Sequence, residues 1–291
     1  MLGAPPFDLR LATIFAIHAA MASAPIILVF DSGLGGLTVF NEIAKARPDA
    51  RFVYAADDAF FPYGRHDEAA LVIRVQAVVD ELIAAHRPDL VVVACNTAST
   101  LVLPQLRARF AVPFVGTVPA IKPACAASAS RMVSVLGTEA TVQREYTRAL
   151  IRDFADGCAM TLVGSLRLAE FAEAALKGEP VSDADIAAEI APCFVAAQNG
   201  GRLARTDTIV LACTHYPLLL DRLRRLAPWP VNFIDPAPAI ARRVLELLGP
   251  PAAGAPAPAA QLIFTSGRAP SPTLRAALAR FGIAEGEPAG V

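Results

Sequence analysis

Lysine is nearly missing from this chain. Lys45, Lys122 and Lys177 are the only ones in 291 residues, so few side chains could form a Schiff base with a carbonyl cofactor or substrate. Net charge is scarce as well. The 26 Lys and Arg against 27 Asp and Glu leave −1, and no broad field recommends nucleic acid or an anionic membrane as a partner. No apolar run reaches the roughly 20 residues that a membrane span needs. The five cysteines, Cys95, Cys125, Cys158, Cys193 and Cys213, are odd in number, widely spaced and free of any C-x-x-C. This argues against a disulfide framework or a structural metal site, and for reduced thiols in the cytoplasm.

What is present is apolar sequence in short, ordered blocks. With 55% hydrophobic residues, the chain can bury one large core or two modest ones. Strand-like runs at 26–30, 51–55, 90–94 and 112–115 alternate with helical stretches at 38–46, 68–86 and 101–110. A second series places strands at 132–136, 160–163 and 208–212 among helices at 142–154, 166–176, 182–198 and 218–226. Strands at 231–234 and 261–264 and helices at 237–248 and 271–281 complete the pattern.

Such alternation predicts an α/β fold of two pseudo-symmetric lobes, each a mostly parallel sheet flanked by helices, with an active site in the cleft between them. Residues 25–117 and 228–282 are assigned to a discontinuous first lobe and 118–227 to the second. Residues 1–24, whose apolar stretch is interrupted by His18, are read as a disordered N-terminal extension. The Pro/Ala-rich stretch at 250–260 reads as a linker.

Three strand ends are polar where a structural turn would not need them to be. Ile26–Phe30 runs into Asp31-Ser32-Gly33-Leu34-Gly35-Gly36. This is not a dinucleotide fingerprint, because Thr38 stands where the third glycine belongs, and no G-K-[ST] follows. A glycine turn offering backbone N–H groups, with Asp31 and Ser32 toward a small ligand, fits better. Val91-Val92-Val93-Ala94 ends in Cys95-Asn96-Thr97, and Ile209-Val210-Leu211-Ala212 ends in Cys213-Thr214-His215. A free cysteine is ordinarily a small buried hydrophobe. Two Ala-Cys-polar strand ends, one in each expected lobe, point instead to paired chemistry. Cys125, Cys158 and Cys193 lack that context and read as structural.

These blocks, with Pro62-Tyr63-Gly64 and Tyr216-Pro217, resemble the signature segments of the glutamate racemases, within the aspartate/glutamate racemase superfamily. The resemblance runs in order from about residue 26 to 248. It implies a cytoplasmic, cofactor-independent isomerase supplying D-glutamate for peptidoglycan, with glutamate as the small-molecule substrate and no nucleic acid or membrane as partner. Members dimerise in several ways, so a homodimer is an expectation the sequence leaves open.

Racemisation needs a base on one face of the α-carbon and an acid on the other, and two cysteines from opposing lobes meet that need. An ordinary thiol has a pKa near 8.5, so one must be shifted or paired to act as thiolate. His215 and Asp31 are the expected helpers, and Asn96, Thr97 and Thr214 suit as donors to the substrate carboxylate. The resemblance implies that Cys95 serves the D-enantiomer and Cys213 the L-enantiomer. It also implies substrate contacts at Asp31, Ser32, Tyr63, Gly64, Asn96, Thr97, Thr214 and His215. Thr141, ahead of Thr138, resembles the threonine that meets the distal carboxylate, and Glu170 an acid near the second cysteine. Helix capping accounts equally for the threonines, and an exposed helix glutamate for Glu170. The sequence departs from the family at Ala212, commonly glycine, and at Pro236, commonly serine. An aspartate or hydantoin racemase, and a bilobal amino-acid-binding protein without catalysis, are the alternative readings.

Overall fold

The computed structural model describes residues 24–155, 157–199, 202–252 and 260–283. The expected extension, apart from Ala24, and most of the Pro/Ala linker lie outside the described residues.

The apolar runs become strands buried on both faces, as parallel sheets covered by helices require. In β1 (Ile26–Asp31), Ile27 and Val29 face one core while Leu28 and Phe30 face another. The first sheet orders β11 (Gln261–Phe264), β2 (Arg51–Ala56), β1, β3 (Leu90–Val93) and β4 (Phe114–Gly116), all parallel. Its helices include α1 (Leu37–Ala46), α2 (Glu68–His86) and α3 (Asn96–Arg109). Asp67 caps α2 by accepting from the Ala70 amide, and Arg87 ends that helix in the left-handed region.

The chain crosses to the second lobe through α4 (Ile121–Ala127), a short helix containing Pro123 that the sequence reading had not anticipated. There, β5 (Met132–Thr138), β6 (Ala159–Ser165), β9 (Thr208–Ala212) and β10 (Asn232–Ile234) form a second parallel sheet in the order β10-β9-β5-β6. Ile209 and Leu211 of β9 face one core, Val210 and Ala212 another.

Several boundaries differ from expectation. The split at 227/228 places β10 in the first lobe, whereas β10 pairs with β9. The return to the first lobe comes with α10 (Ala237–Leu248), whose Ile240, Ala241 and Val244 enter that lobe's core. The expected helix 182–198 stops as α8 (Asp183–Ile190), capped by Ser182; a 3-10 turn containing Pro192 follows, and proline cannot donate a continuing helical bond. Its tail forms β7 (Ala196–Asn199), paired antiparallel with β8 (Arg202–Arg205). The expected helix 142–154 divides into α5 (Glu139–Gln143) and α6 (Glu145–Phe154) because Arg144 turns extended, φ −69° and ψ 143°. Its guanidinium reaches the first lobe, donating to the Thr97 carbonyl at 2.7 Å and facing Glu68 at 3.3 Å.

No described helix is long and apolar enough to cross a membrane. In each sheet the strand order reverses beside a central strand, between β1 and β3 and between β5 and β9. Crevices at such reversals are where open α/β sheets bind ligands.

Candidate active site

Cys95 follows β3 after Ala94 and stands at the N-cap of α3; Cys213 directly follows β9. The two thiols, one from each lobe, line a single cavity together with Ser32, Tyr63, Asn96, Thr214 and His215. The free space between them is about 20 Å³, room for about one water molecule.

The sulfurs have different surroundings. Cys95 is 5% exposed. Burial, then the Asp31 carboxylate, push its thiol up to about 12, while the Ala98 amide and the Ser32 hydroxyl pull the other way. Its S–H is directed to Ser32 Oγ at 3.6 Å. Cys213 Sγ has His215 Nδ1 at 3.8 Å. Burial opposes the charged imidazole, but hydrogen bonds to Cys213 and Glu173 outweigh it and raise His215 well above an ordinary histidine. A buried imidazolium beside Cys213 is the counter-ion a thiolate there requires.

Glu173 keeps that histidine in place. It lies on α7 (Leu168–Leu176), 4% exposed, and His215 Nε2 donates to its Oε1 at 3.1 Å. The same oxygen accepts from the Leu34 amide at 2.7 Å, and Oε2 accepts from Lys177 at 2.7 Å. Burial opposes the carboxylate, but His215 and Lys177 outweigh it and lower its pKa to about 2. Glu170, the acid expected near Cys213, instead pairs with Arg65 and does not line the cavity. This corrects the sequence reading by one helical turn. Only the spacing A-E-F-A-E hinted at Glu173.

The glycine turn carries carboxylates rather than an anionic ligand. Asp31 Oδ2 accepts from the Gly33 and Gly36 amides at 3.3 and 3.0 Å, and Oδ1 accepts from the Thr214 hydroxyl of the other lobe at 3.2 Å. Burial raises the Asp31 pKa, opposed by His215 and by those two amides. A Cβ on Gly33 would sit 2.1 Å from Glu173 Oε1 and one on Gly35 2.5 Å from His215 Nδ1. The turn needs glycine because two side chains of the second lobe pack against its backbone.

Asn96 is 2% exposed and lines the cavity, and its amide nitrogen and oxygen have no partner among the described residues. A buried amide left unpaired is costly. The Thr97, Thr138 and Thr141 hydroxyls form a triangle of 3.0, 3.2 and 2.8 Å. Thr138 lines the cavity and also caps α5, whereas Thr141, preferred from sequence, is fully buried behind it. Tyr63 is placed at the cavity, but its hydroxyl is committed to Asp57 at 2.6 Å. Asp57 is fully buried, also binds Arg74 and Thr265, and had drawn no notice in the sequence. Gly64 reaches the second lobe, where a Cβ would touch Thr138 at 3.4 Å. Pro236 begins α10 and lines a second cavity at the lobe crossing rather than this one.

None of the three lysines lines the thiol cavity. Among the described residues, no group of three His, Cys, Asp or Glu is arranged to hold a metal ion.

Two thiols, one from each lobe, thus share one cavity at the strand reversals of the two sheets, Cys95 beside Ser32 and Cys213 beside His215. Residues 31–244 match the Asp/Glu/hydantoin racemase family, and the chain belongs to that family. It is 56% identical over 236 residues to the glutamate racemase of Brucella anthropi, covering 81% of this chain and 83% of that relative. Against the glutamate racemase of Brucella ovis it is 57% identical over 223 residues, 76% of this chain and 79% of the relative. The solved Escherichia coli glutamate racemase, in complex with L-glutamate and the activator UDP-MurNAc-Ala, superposes with a TM-score of 0.80 at 40% identity, covering 89% of this chain and 96% of that one. The protein is an isomerase that acts on a small-molecule substrate, and its activity is glutamate racemisation.

Proposed function

We propose that Cys213 and Cys95 are the two bases of this racemisation, working on opposite faces of the α-carbon of glutamate. The observation that carries the reading is their unequal setting within one cavity: Cys95 Sγ–H on Ser32, Cys213 Sγ on a histidine raised well above its ordinary range. With L-glutamate bound, the Cys213 thiolate takes the α-proton, so the C–H bond breaks and an S–H bond forms. The Cys95 thiol then delivers its proton to the other face and becomes thiolate. D-glutamate runs the same steps backward.

The carbanion gains stability from hydrogen bonds to the substrate carboxylate. Asn96, Thr97 and Thr214, with the first amides of α3, supply these donors. Asp31 acts as a positioning residue, holding Thr214 against the glycine turn, and the hydroxyls near Thr138 receive the distal carboxylate. The chemistry uses no pyridoxal phosphate: Lys177 is held on Glu173, Lys45 on Glu42, and Lys122 lies at the other cavity. The biological role we assign is supply of D-glutamate for peptidoglycan, in the cytoplasm, with a homodimer as the working assembly. Cys95→Ala and Cys213→Ala should each abolish racemisation with no cofactor added while leaving the circular dichroism of the fold unchanged. Racemisation surviving in either variant refutes the pairing.

A second reading concerns regulation. The cavity at the lobe crossing has a volume of about 410 Å³, and its lining includes Arg107, Lys122 and Arg243 but no acidic residue. The Escherichia coli relative was solved with the activator UDP-MurNAc-Ala. We assign this cationic cavity to an anionic nucleotide-sugar activator of that kind. Calorimetric titration with UDP-MurNAc-Ala should give saturable binding that Arg107→Ala and Arg243→Ala weaken; no binding to the wild type excludes the assignment.

A further inference from the structure

Cys125 and Cys158, which racemisation leaves unused, are brought together in the second lobe. Cys125 sits on α4 and is 4% exposed, while Cys158, just before β6, is partly open to solvent. Cys158 Sγ lies 3.9 Å from the Cys125 carbonyl oxygen. Arg131 Nη1 donates to that carbonyl at 3.2 Å and to Cys158 Sγ at 3.8 Å. The Met160 thioether closes the far side, 3.8 Å from Cys125 Sγ.

The backbone holds the group in register. Arg131 stands at φ +60°, its carbonyl accepts from the Ala159 amide at 2.7 Å, and Met132 pairs with Ala159 across β5 and β6. Gly157 lies against the guanidinium, where even a Cβ would come within 3.5 Å of Nη2. A packed structural cysteine has no use for a guanidinium on its sulfur. Burial and the Cys158 thiol push the Cys125 thiol up, and Arg131 opposes them.

We propose that Cys125 and Cys158 are an oxidation site, a dithiol that a hydroperoxide closes to an intramolecular disulfide. Thiolate is the reactive form, and a neighbouring cation favours it. Cys158, its proton released, attacks the outer peroxide oxygen. An S–O bond forms, the O–O bond breaks, and the departing oxide takes up a proton as water or alcohol. The sulfur is now sulfenic acid, oxidised by two electrons as the peroxide is reduced by two. Cys125 then attacks that sulfur, the S–S bond forms, the S–O bond breaks, and the leaving hydroxide takes the Cys125 proton as water. The disulfide fastens α4, which begins at the lobe crossing and lines the cationic cavity, to the segment entering β6. Cys95 and Cys213 take no part.

Wild-type enzyme treated with one equivalent of hydrogen peroxide, alkylated and digested with trypsin tests this. The expected product joins the peptides 110–131 and 153–167, with Cys95, Cys193 and Cys213 still alkylated and the chain monomeric on a non-reducing gel. Arg131→Asn keeps a residue suited to φ +60° but removes the cation, and should slow the closure by about ten-fold. Sulfinic acid on Cys158 with Cys125 still alkylated, earlier oxidation of Cys95 or Cys213, or a disulfide between chains would each overturn the proposal.

Discussion

Glu173 and His215, 42 residues apart in sequence, meet through a 3.1 Å hydrogen bond in the interior of the second lobe, and the same carboxylate oxygen takes the Leu34 amide of the first. One buried group thus orients the imidazole beside Cys213 and ties it to the glycine turn that carries Asp31.

That relationship separates two glutamates one helical turn apart. Glu173→Gln keeps the shape but removes the charge that holds the imidazolium. The kcat/KM for either enantiomer should fall about 100-fold, the scale of a misplaced reacting group. Glu170→Gln loses only a half-exposed pair with Arg65 and should stay within about two-fold of wild type. Steady-state rates by circular dichroism at a fixed pH make the comparison.

The pH dependence follows from His215. Its pKa is raised well above 6.5, so the imidazolium persists as pH climbs through the ordinary histidine range and is lost only above it. The wild-type kcat/KM should show no limb near pH 6.5, with the fall attributable to His215 displaced to alkaline pH. In Glu173→Gln that limb should move down. An unmoved limb would assign it to another group.

Stability at low pH depends on Glu173. Its folded pKa, about 2 against an ordinary 4.5, is depressed, so its contribution is complete above pH 4.5 and is lost as pH falls through 2. A shift of that size corresponds to about 3 kcal/mol. Urea denaturation between pH 5 and 2.5 should show wild type losing stability more steeply than Glu173→Gln.

Gly35→Ala tests the contact from the other lobe. The added methyl would lie 2.5 Å from His215 Nδ1, and overpacking of this kind costs about 1–3 kcal/mol. Racemisation should fall with stability, because the atom displaced is the one facing Cys213.

Much of this was legible in the chain. Two-sided burial made β1, β3 and β9 readable as continuous apolar runs, and the repeat of strand, Ala-Cys and polar residue singled out Cys95 and Cys213 without any helper. The misses share a cause: long-range contacts that local pattern does not encode. Glu170 and Glu173 are equally plausible on one helix face, and only a fold that carries His215 to α7 chooses between them. Thr138 and Thr141 both suit a capped helix start, and of the two only Thr138 lines the cavity. Tyr63, which the motif recommended, does line the cavity, with its hydroxyl on Asp57. The helix assigned through residue 198 ended early because Pro192 and the pairing of β7 with β8 outweighed an apolar pattern.

Solvent isotope tracing at the α-carbon bears most directly on the paired sulfurs. D-glutamate supplied with protium at the α-carbon and turned over in heavy water, with no cofactor added, should yield L-glutamate bearing deuterium in every product molecule, while unreacted D-glutamate stays protiated at early times. L-glutamate that keeps the original proton would mean that one group handles both faces, and the division of labour between Cys95 and Cys213 would be wrong.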